Sequence, residues 1–198
     1  VDFNVEINPN YDGEYEYSAW DGSYAELPTP DAAGVITINT ADQLATLLNM
    51  DPEGMTIKLG ADIDMNGRAL AVYADGAKGS NAPFVLDGQG HTIYNVAPKA
   101  DGKFSGLFPI LVNATVKNLF IEGANVMPAP ATTRATTGDF YAGALAGATY
   151  GMCEFDNVVV MKSNVQGVNK VGGLVGFVAE NNIKVNKCVV SYSNVGTF

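Results

Sequence analysis

The chain is poor in cysteine, histidine and basic side chains, and each shortage excludes a class of protein. Two cysteines among 198 residues are too few for a disulfide framework. No run approaches ~18 consecutive apolar residues, which excludes a membrane-spanning helix. A formal charge of −10 argues against nucleic acid, because that binding depends on Lys and Arg neutralising phosphates. With 22 glycines and only 16% charged residues, the composition favours one all-β domain of medium size.

The negative charge is concentrated at the start of the chain. The first 57 residues contain eleven of the 21 acidic residues and none of the eleven basic ones, so the remainder has a net charge of +1. Aromatic residues cluster in the same segment, which ends near the extended connector Leu27-Pro28-Thr29-Pro30. We therefore predict an acidic, aromatic-rich segment over 1–34 that packs on a body over 35–198.

Internal repetition is the strongest signal in the sequence. Three copies of one pattern, a Gly-Leu element followed by an apolar run and then Asn-Val, occupy 106–126, 143–165 and 172–195. A partial earlier copy, Thr92–Val96, follows the turn Asp87–Gly90. Two sets of apolar positions correspond across the copies: Val116, Phe155 and Val185, and Ile121, Val160 and Val190.

Short β-branched runs that recur in this way predict a stack of parallel strands. The expected fold is all-β, a right-handed parallel β-helix (a solenoid), with a β-sandwich as the alternative. Asn125, Asn164 and Asn194 would form a ladder of side-chain amides at a left-handed corner. A second asparagine column would contain Asn95, Asn118 and Asn157 and break at Lys187.

One short helix and one surface insertion interrupt the strand pattern. Thr40 and Gln43 form a capping box, and Leu44, Leu47 and Leu48 make one apolar stripe. We therefore predict an α-helix over about 41–49 that caps the N-terminal end of the stack. The Pro-, Thr- and Ala-rich stretch over about 127–138 has no apolar period and is predicted to be a surface insert.

Three segments in particular resemble a known family. Trp20-Asp21-Gly22-Ser23, Asp87-Gly88-Gln89-Gly90-His91-Thr92-Ile93 and Gly172-Gly173-Leu174-Val175-Gly176 look like the GLUG-motif β-helix proteins, over about residues 20–198. Those proteins are abundant on the surface of Bacteroides-type bacteria and are regarded as adhesin-like. The resemblance implies secretion or outer-membrane surface display, with lipid anchoring in the precursor as an option. It implies no defined ligand and no catalytic residues.

The single histidine and one acidic segment are candidate chemical sites. His91 lies in a glycine-rich corner without a partner that sequence can identify, and is expected to be a structural turn residue. Asp62, Asp64 and Asn66 mimic the start of a calcium loop, but Tyr73 stands where that loop needs a bidentate glutamate. Alternation favours a solvated strand face, so these three are only weak metal candidates, and no cofactor is expected.

The two cysteines fall in different columns of the repeat. Cys188 aligns with the core positions Leu119 and Val158, whereas Cys153 precedes Phe155 by two residues. A disulfide between them is therefore not expected, and both are predicted to act as small apolar residues.

These observations lead to a non-enzymatic surface protein that adheres or interacts through the loops and faces of a β-helix, with no catalytic residue. The alternative is a polysaccharide-binding module, a polysaccharide lyase or a glycosidase; Asp139, Glu154, Asp156 and Glu180 are available, but their spacing pairs none of them. The expected partner is a surface glycan or protein. Tyr15, Tyr17 and Trp20 are the candidate sugar-stacking residues, although the pattern favours packing of this segment on the body, because buried aromatic residues hold a short strand in place.

The C-terminal end carries a last expectation. The third copy runs to Phe198 without a polar cap, although stacked repeats need capped ends. The sequence therefore predicts either a longer natural chain or end-to-end association through this last repeat.

Overall fold

The structure is a computed structural model that describes residues 19–73, 82–99, 103–127, 140–180 and 182–197. Its regular structure is almost entirely β-strand, with one α-helix, which confirms the all-β prediction. Every strand pairing in the described part of the chain is parallel. The Pro-rich insert lies outside the described residues except for Met127, as do the first 18 residues.

The strands form one large sheet and four small ones. The nine strands of the large sheet are β1 (Val35–Ile38), β2 (Thr56–Leu59), β3 (Ile63–Asp64), β5 (Phe84–Asp87), β6 (Thr92–Tyr94), β10 (Ala114–Glu122), β14 (Cys153–Met161), β18 (Ile183–Asn186) and β19 (Val189–Ser191). The two-stranded sheet contains β4 (Ala69–Leu70) and β7 (Ala97–Pro98).

Three further sheets have three strands each. They contain β8 (Phe104–Ser105), β12 (Tyr141–Gly143) and β16 (Lys170–Gly172); β9 (Phe108–Val112), β13 (Ala146–Tyr150) and β17 (Val175–Val178); and β11 (Asn125–Val126), β15 (Asn164–Gly167) and β20 (Asn194–Thr197). In each sheet a strand pairs with its equivalent in the neighbouring repeat, so that repeats stack in chain order.

The register places equivalent residues of successive repeats side by side. Val116 pairs with Phe155 and Phe155 with Val185, while Val160 pairs with both Ile121 and Val190, as the repeat pattern predicts. The inward members of the inner repeats, such as Phe155 and Val160, are fully buried. The core is therefore a set of apolar columns that run along the stack.

The predicted asparagine ladder is present, but it lies in strands. Asn164 Nδ2 donates to Asn125 Oδ1 at 3.0 Å, and Asn194 Nδ2 donates to Asn164 Oδ1 at 3.0 Å. These residues begin β11, β15 and β20 and do not have positive φ. The corner position was therefore wrong: the amides bond along the strand-pairing direction, which needs only an extended backbone.

The left-handed corner belongs to the second predicted column. Asn118, Asn157 and Lys187 have φ of 50°, 56° and 51°, so Lys187 continues the bend that the asparagines begin. Asparagine tolerates this conformation better than most residues. Asn95 does not share the column; it bonds Asp64 at another corner.

The helix α1 (Ala41–Leu48) forms where the apolar stripe predicts it. Leu44, Leu47 and Leu48 are buried in one core with the inward residues of β1. The predicted capping box is not formed, because neither of its two bonds involves the N-cap residue Thr40 in the expected way. Gln43 Oε1 accepts from the backbone N–H of Asn39 at 2.9 Å, but the Thr40 hydroxyl bonds the Asp42 carboxylate, which draws it away from the helix N–H groups.

Both cysteines are free thiols, as predicted. Cys153 is fully buried, and burial raises the pKa of its thiol. Because a thiolate is the reactive form, this environment makes Cys153 an inert core residue. Cys188 is half-buried in the last repeat, where no further strand in the described chain covers it.

Candidate functional site

The predicted sugar-stacking segment is only partly described. Tyr15 and Tyr17 lie outside the described residues. Trp20 is 3% exposed, its indole Nε1 donates to Ser23 O at 2.6 Å, and its ring meets Tyr24 edge-on at 5.9 Å. A pocket of about 190 Å³ opens beside it, lined in part by Asp21 and Asp42. The Trp20 face is thus occupied by packing, and its role in binding stays a prediction.

The weak metal candidates take part in hydrogen bonds within the fold. Ile63 and Met65 are buried between them, as the alternation predicts. Asp64 Oδ1 accepts from the backbone N–H of Asn66 at 2.7 Å. Asn66 in turn donates from Nδ2 to Trp20 O at 3.2 Å. Among the described residues no group of three or more His, Cys, Asp or Glu side chains is placed to share a metal ion.

Asp62 supplies the partner of His91 that the sequence could not identify. Its Oδ1 lies 3.1 Å from His91 Nδ1 and accepts from the backbone N–H of Thr92 at 2.9 Å. The pair is formed by adjacent repeats, since β3 and β6 are neighbours in the large sheet. A separation of 29 residues gave no sequence signal for this contact. The carboxylate both fixes the imidazole and ties one repeat to the next.

The structure also reveals a surface feature that sequence reasoning missed. Phe104, Tyr141 and Lys170 stand side by side on β8, β12 and β16, one from each of three successive repeats. Phe177, on β17, packs beside Tyr141, and Lys103 precedes Phe104. We call these five residues the aromatic–lysine face. Its signal was present in the sequence: Phe104, Tyr141 and Lys170 each stand two residues before a glycine of the repeated motif.

Glycines allow this face to form, because two small sheets approach each other closely behind it. A Cβ on Gly147 would lie 2.6 Å from Ser105 N and 2.9 Å from Phe104 Cβ. A Cβ on Gly176 would lie 2.7 Å from the backbone N of Ala142. Both positions therefore exclude a side chain. The repeated glycines bring the strand that carries Phe177 against the strands that carry the other rings.

The rings and amines of the face form one contact network. The centroid of the Tyr141 ring lies 5.4 Å from that of Phe104 and 5.1 Å from that of Phe177. Lys103 Nζ and Lys170 Nζ each lie 5.1 Å from the Tyr141 centroid, and Lys170 Nζ lies 3.8 Å from that of Phe177. Cation–π attraction of this kind holds an ammonium group over a ring. The two exposed lysines therefore lie at the edge of a row of aromatic rings, and two of those rings belong to the half-buried phenylalanines.

Comparisons with known proteins give one match, and it is a match of fold. No family model matches the sequence, and no curated protein does. A solved structure matches with a TM-score of 0.56 and 18% sequence identity: the crystal structure of a putative immunoglobulin A1 protease from Bacteroides ovatus. The match covers 85% of this chain and 60% of that one. At this identity the likeness shows a shared fold.

This match corrects one expectation. From the sequence we expected a protein that is not an enzyme, whereas the solved neighbour is named as a protease, which points to an enzyme. That expectation rested on finding no catalytic constellation in these 198 residues. The chain spans about 60% of the neighbour's length.

Among the described residues, no helix combines the length and the apolar character needed to cross a bilayer.

Proposed function

We propose that this chain is a binding module of a secreted or surface-displayed bacterial protein, and that its aromatic–lysine face binds an acidic glycan. The single observation that carries the proposal is the row of rings on successive repeats with Lys103 and Lys170 over them. Adhesion to a glycan-coated surface is the role that such binding would serve.

The proposal includes the finer description of the fold and its setting. The parallel sheets are taken to wind as a right-handed parallel β-helix, the hand that parallel crossovers favour. The GLUG-motif resemblance and a structural neighbour from Bacteroides ovatus support display at the surface of a Bacteroides-type bacterium. Lipid anchoring of the precursor is part of the same proposal.

Charge argues for an acidic ligand at this face. The chain as a whole carries −10, but the acidic excess lies in residues 1–57, before the strands that form the face begin. Lys103 Nζ and Lys170 Nζ each lie 5.1 Å from the centroid of the Tyr141 ring, so the distance between the two amines is at most twice that value. Two carboxylates of one polymer can therefore reach both amines.

The shape of the face argues for a linear glycan. Phe104 and Phe177 are half-buried and expose apolar ring surface beside the amines. Aromatic rings contribute apolar contact at little cost in side-chain entropy. Since one ring comes from each of three stacked repeats, the row suits a polymer whose own units repeat.

Binding of hyaluronan to the full chain tests the proposal, with carboxyl-reduced hyaluronan as the neutral comparison polymer. Lys103→Ala combined with Lys170→Ala is expected to weaken hyaluronan binding at least tenfold, and Phe177→Ala severalfold. Lys58→Ala is the matched control, because Lys58 is an exposed lysine on β2, away from the face. Equal binding of the neutral polymer, or binding that survives the double lysine variant, would overturn the proposal.

Proteolysis is a second candidate function, and one observation favours it beyond the name of the solved neighbour. Hydrogen bonding of Asp62 to His91 Nδ1 is the arrangement that, in a catalytic triad, orients the imidazole so that Nε2 takes a proton from a nucleophile. Among the described residues, Asp62 is the only side chain that hydrogen-bonds this imidazole. The nucleophile of such a triad is therefore unassigned.

Incubation of the purified chain with immunoglobulin A1 tests this second candidate. Specific fragments that disappear with His91→Ala and fall strongly with Asp62→Asn would support it. Fragments that persist in His91→Ala, or intact immunoglobulin after prolonged incubation, would count against proteolysis by this chain.

A further inference from the structure

The aromatic–lysine face is formed by three layers of the stack, and its cations are unevenly distributed among them. The layers are residues 103–112, 140–150 and 170–178, which contain β8 and β9, β12 and β13, and β16 and β17. The first layer has one basic residue, Lys103, and the last has one, Lys170, whereas the middle layer has neither lysine nor arginine. None of the three layers contains Asp or Glu. Positive charge therefore recurs on every second layer.

The pairing register shows what stands in the middle layer at the positions of the two lysines. Tyr141 pairs with Phe104 of the layer before it and with Lys170 of the layer after it. Because the strands are parallel, Phe140 is the middle-layer equivalent of Lys103, just as Tyr141 is that of Lys170. Phe140 and Tyr141 are 6% and 7% exposed. Buried aromatic residues thus occupy both lysine positions in the layer between the two amines.

The same register sets the distance that a ligand must span. Adjacent strands of a sheet lie ~4.8 Å apart, so the layers that carry Lys103 and Lys170 are separated by two such spacings. The amines reach the Tyr141 ring from the layers on either side of it, each at 5.1 Å from the centroid. A ligand that bonds both amines therefore needs two anionic groups about two layers apart.

A linear glycan that runs along the stack can meet this spacing in only one charge pattern. One sugar of an extended polysaccharide covers roughly one strand spacing, ~5 Å, and so about one layer. If every second sugar is a uronic acid, consecutive carboxylates lie two layers apart, as the lysines do. If every sugar is acidic, one carboxylate also falls on the middle layer. There it would lose water without gaining an amine, which costs binding free energy.

We propose that the aromatic–lysine face selects glycans in which acidic and neutral sugars alternate over glycans in which every sugar is acidic. This inference rests on the proposed function, because it assigns the charge pattern of the same ligand. Lys103 and Lys170 each bind one carboxylate. The neutral sugar between them lies over the middle layer, beside Phe104 and Phe177, whose rings contact Tyr141 from the two neighbouring layers.

Charge attraction alone predicts the opposite order of affinities. A glycan with a carboxylate on every sugar is the more densely charged polymer, and it releases more counterions when it binds a cationic surface. A preference for the alternating glycan therefore depends on the spacing of the amines and not on the total charge of the ligand.

Isothermal titration calorimetry of the full chain with oligosaccharides of equal length provides the test. The alternating probes are hyaluronan and unsulfated chondroitin, and the uniformly acidic probes are galacturonate and mannuronate oligomers, which differ in linkage. The alternating probes are expected to bind about tenfold more tightly, the effect of one polar group left without a partner. Lys170→Ala or Lys103→Ala should abolish this ratio, because one amine cannot select a spacing. Lys58→Ala, on β2 away from the face, should preserve it.

The outcomes separate this inference from the function on which it rests. Equal affinity for the two classes of probe, lost when both lysines are changed to alanine, would overturn the selectivity and leave the binding of acidic glycans standing. Tighter binding of the uniformly acidic probes would also overturn it, since charge density alone gives that order. A ratio that persists in both single lysine variants would show that another feature of the sugars sets the preference. Binding of none of the four probes would overturn both proposals.

Discussion

One pair of substitutions measures how strongly the stacked columns hold the protein together. Val160 and Val190 occupy the same column in adjacent repeats, pair directly in the register, and differ in exposure, at 0% and 42%. Truncation of each to alanine removes the same atoms from two different environments. Each variant is therefore the control for the other, because the two differ only in how deeply the valine is buried.

The expected loss of unfolding free energy is larger for the buried valine than for the partly exposed one. Val160→Ala removes two buried carbons at ~0.8 kcal/mol each and leaves a cavity, for a total of about 2–3 kcal/mol of unfolding free energy. Val190→Ala removes carbons that are already close to half-exposed and leaves no enclosed cavity. Its cost is therefore about 0.5–1 kcal/mol.

Urea unfolding at low protein concentration, followed by circular dichroism, provides the measurement. The midpoint should fall clearly for Val160→Ala and slightly for Val190→Ala, with an unchanged slope against urea. Equal losses for the two variants at low concentration would refute the column argument.

Three further predictions concern backbone approach, the amide ladder and pH. Gly147→Ala should cost ~1–3 kcal/mol or more, because its Cβ would press on the backbone of the adjacent sheet, whereas Gly196→Ala, with open space around its Cβ, should be nearly neutral in thermal unfolding. Asn164→Ala should cost ~1–2 kcal/mol in urea unfolding, because it breaks the ladder on both sides. Burial raises the pKa of Asp87, but hydrogen bonds from the backbone N–H of Gln89 and from neighbouring side chains outweigh it and hold that pKa below its ordinary value. A lowered folded-state pKa stabilises the protein above the unfolded-state pKa, so this contribution should be lost as pH falls through the folded pKa, and Asp87→Asn should remove that part of the acid sensitivity.

The apolar columns could be predicted from the sequence because the positions that are apolar in every repeat are the positions that the fold buries. Val116, Phe155 and Val185 could be aligned from their apolar character and their distance from the glycine motif, and the register bears this out. The cap helix followed from three leucines at helical spacing. These features depend on residues whose preferences are strong and local.

The side-chain contacts between repeats could not be predicted from the sequence, for a physical reason. Asp62 and His91 meet because β3 and β6 are neighbours, and no local pattern connects residues 29 positions apart. Tyr141 looked like an ordinary strand residue until the sheets placed it between two phenylalanines and two lysines. The ladder at Asn125 was predicted with the wrong backbone, because asparagine suits both a left-handed corner and a stacked strand.

The most direct test of the proposed function is the salt dependence of hyaluronan binding to the unaltered chain and to the chain with Lys103 and Lys170 both changed to alanine. If the two amines bind carboxylates, affinity for the unaltered chain falls steadily as salt is added, and the double variant binds weakly with little dependence on salt. Identical affinity and identical salt dependence for the two proteins would contradict the assignment of the aromatic–lysine face.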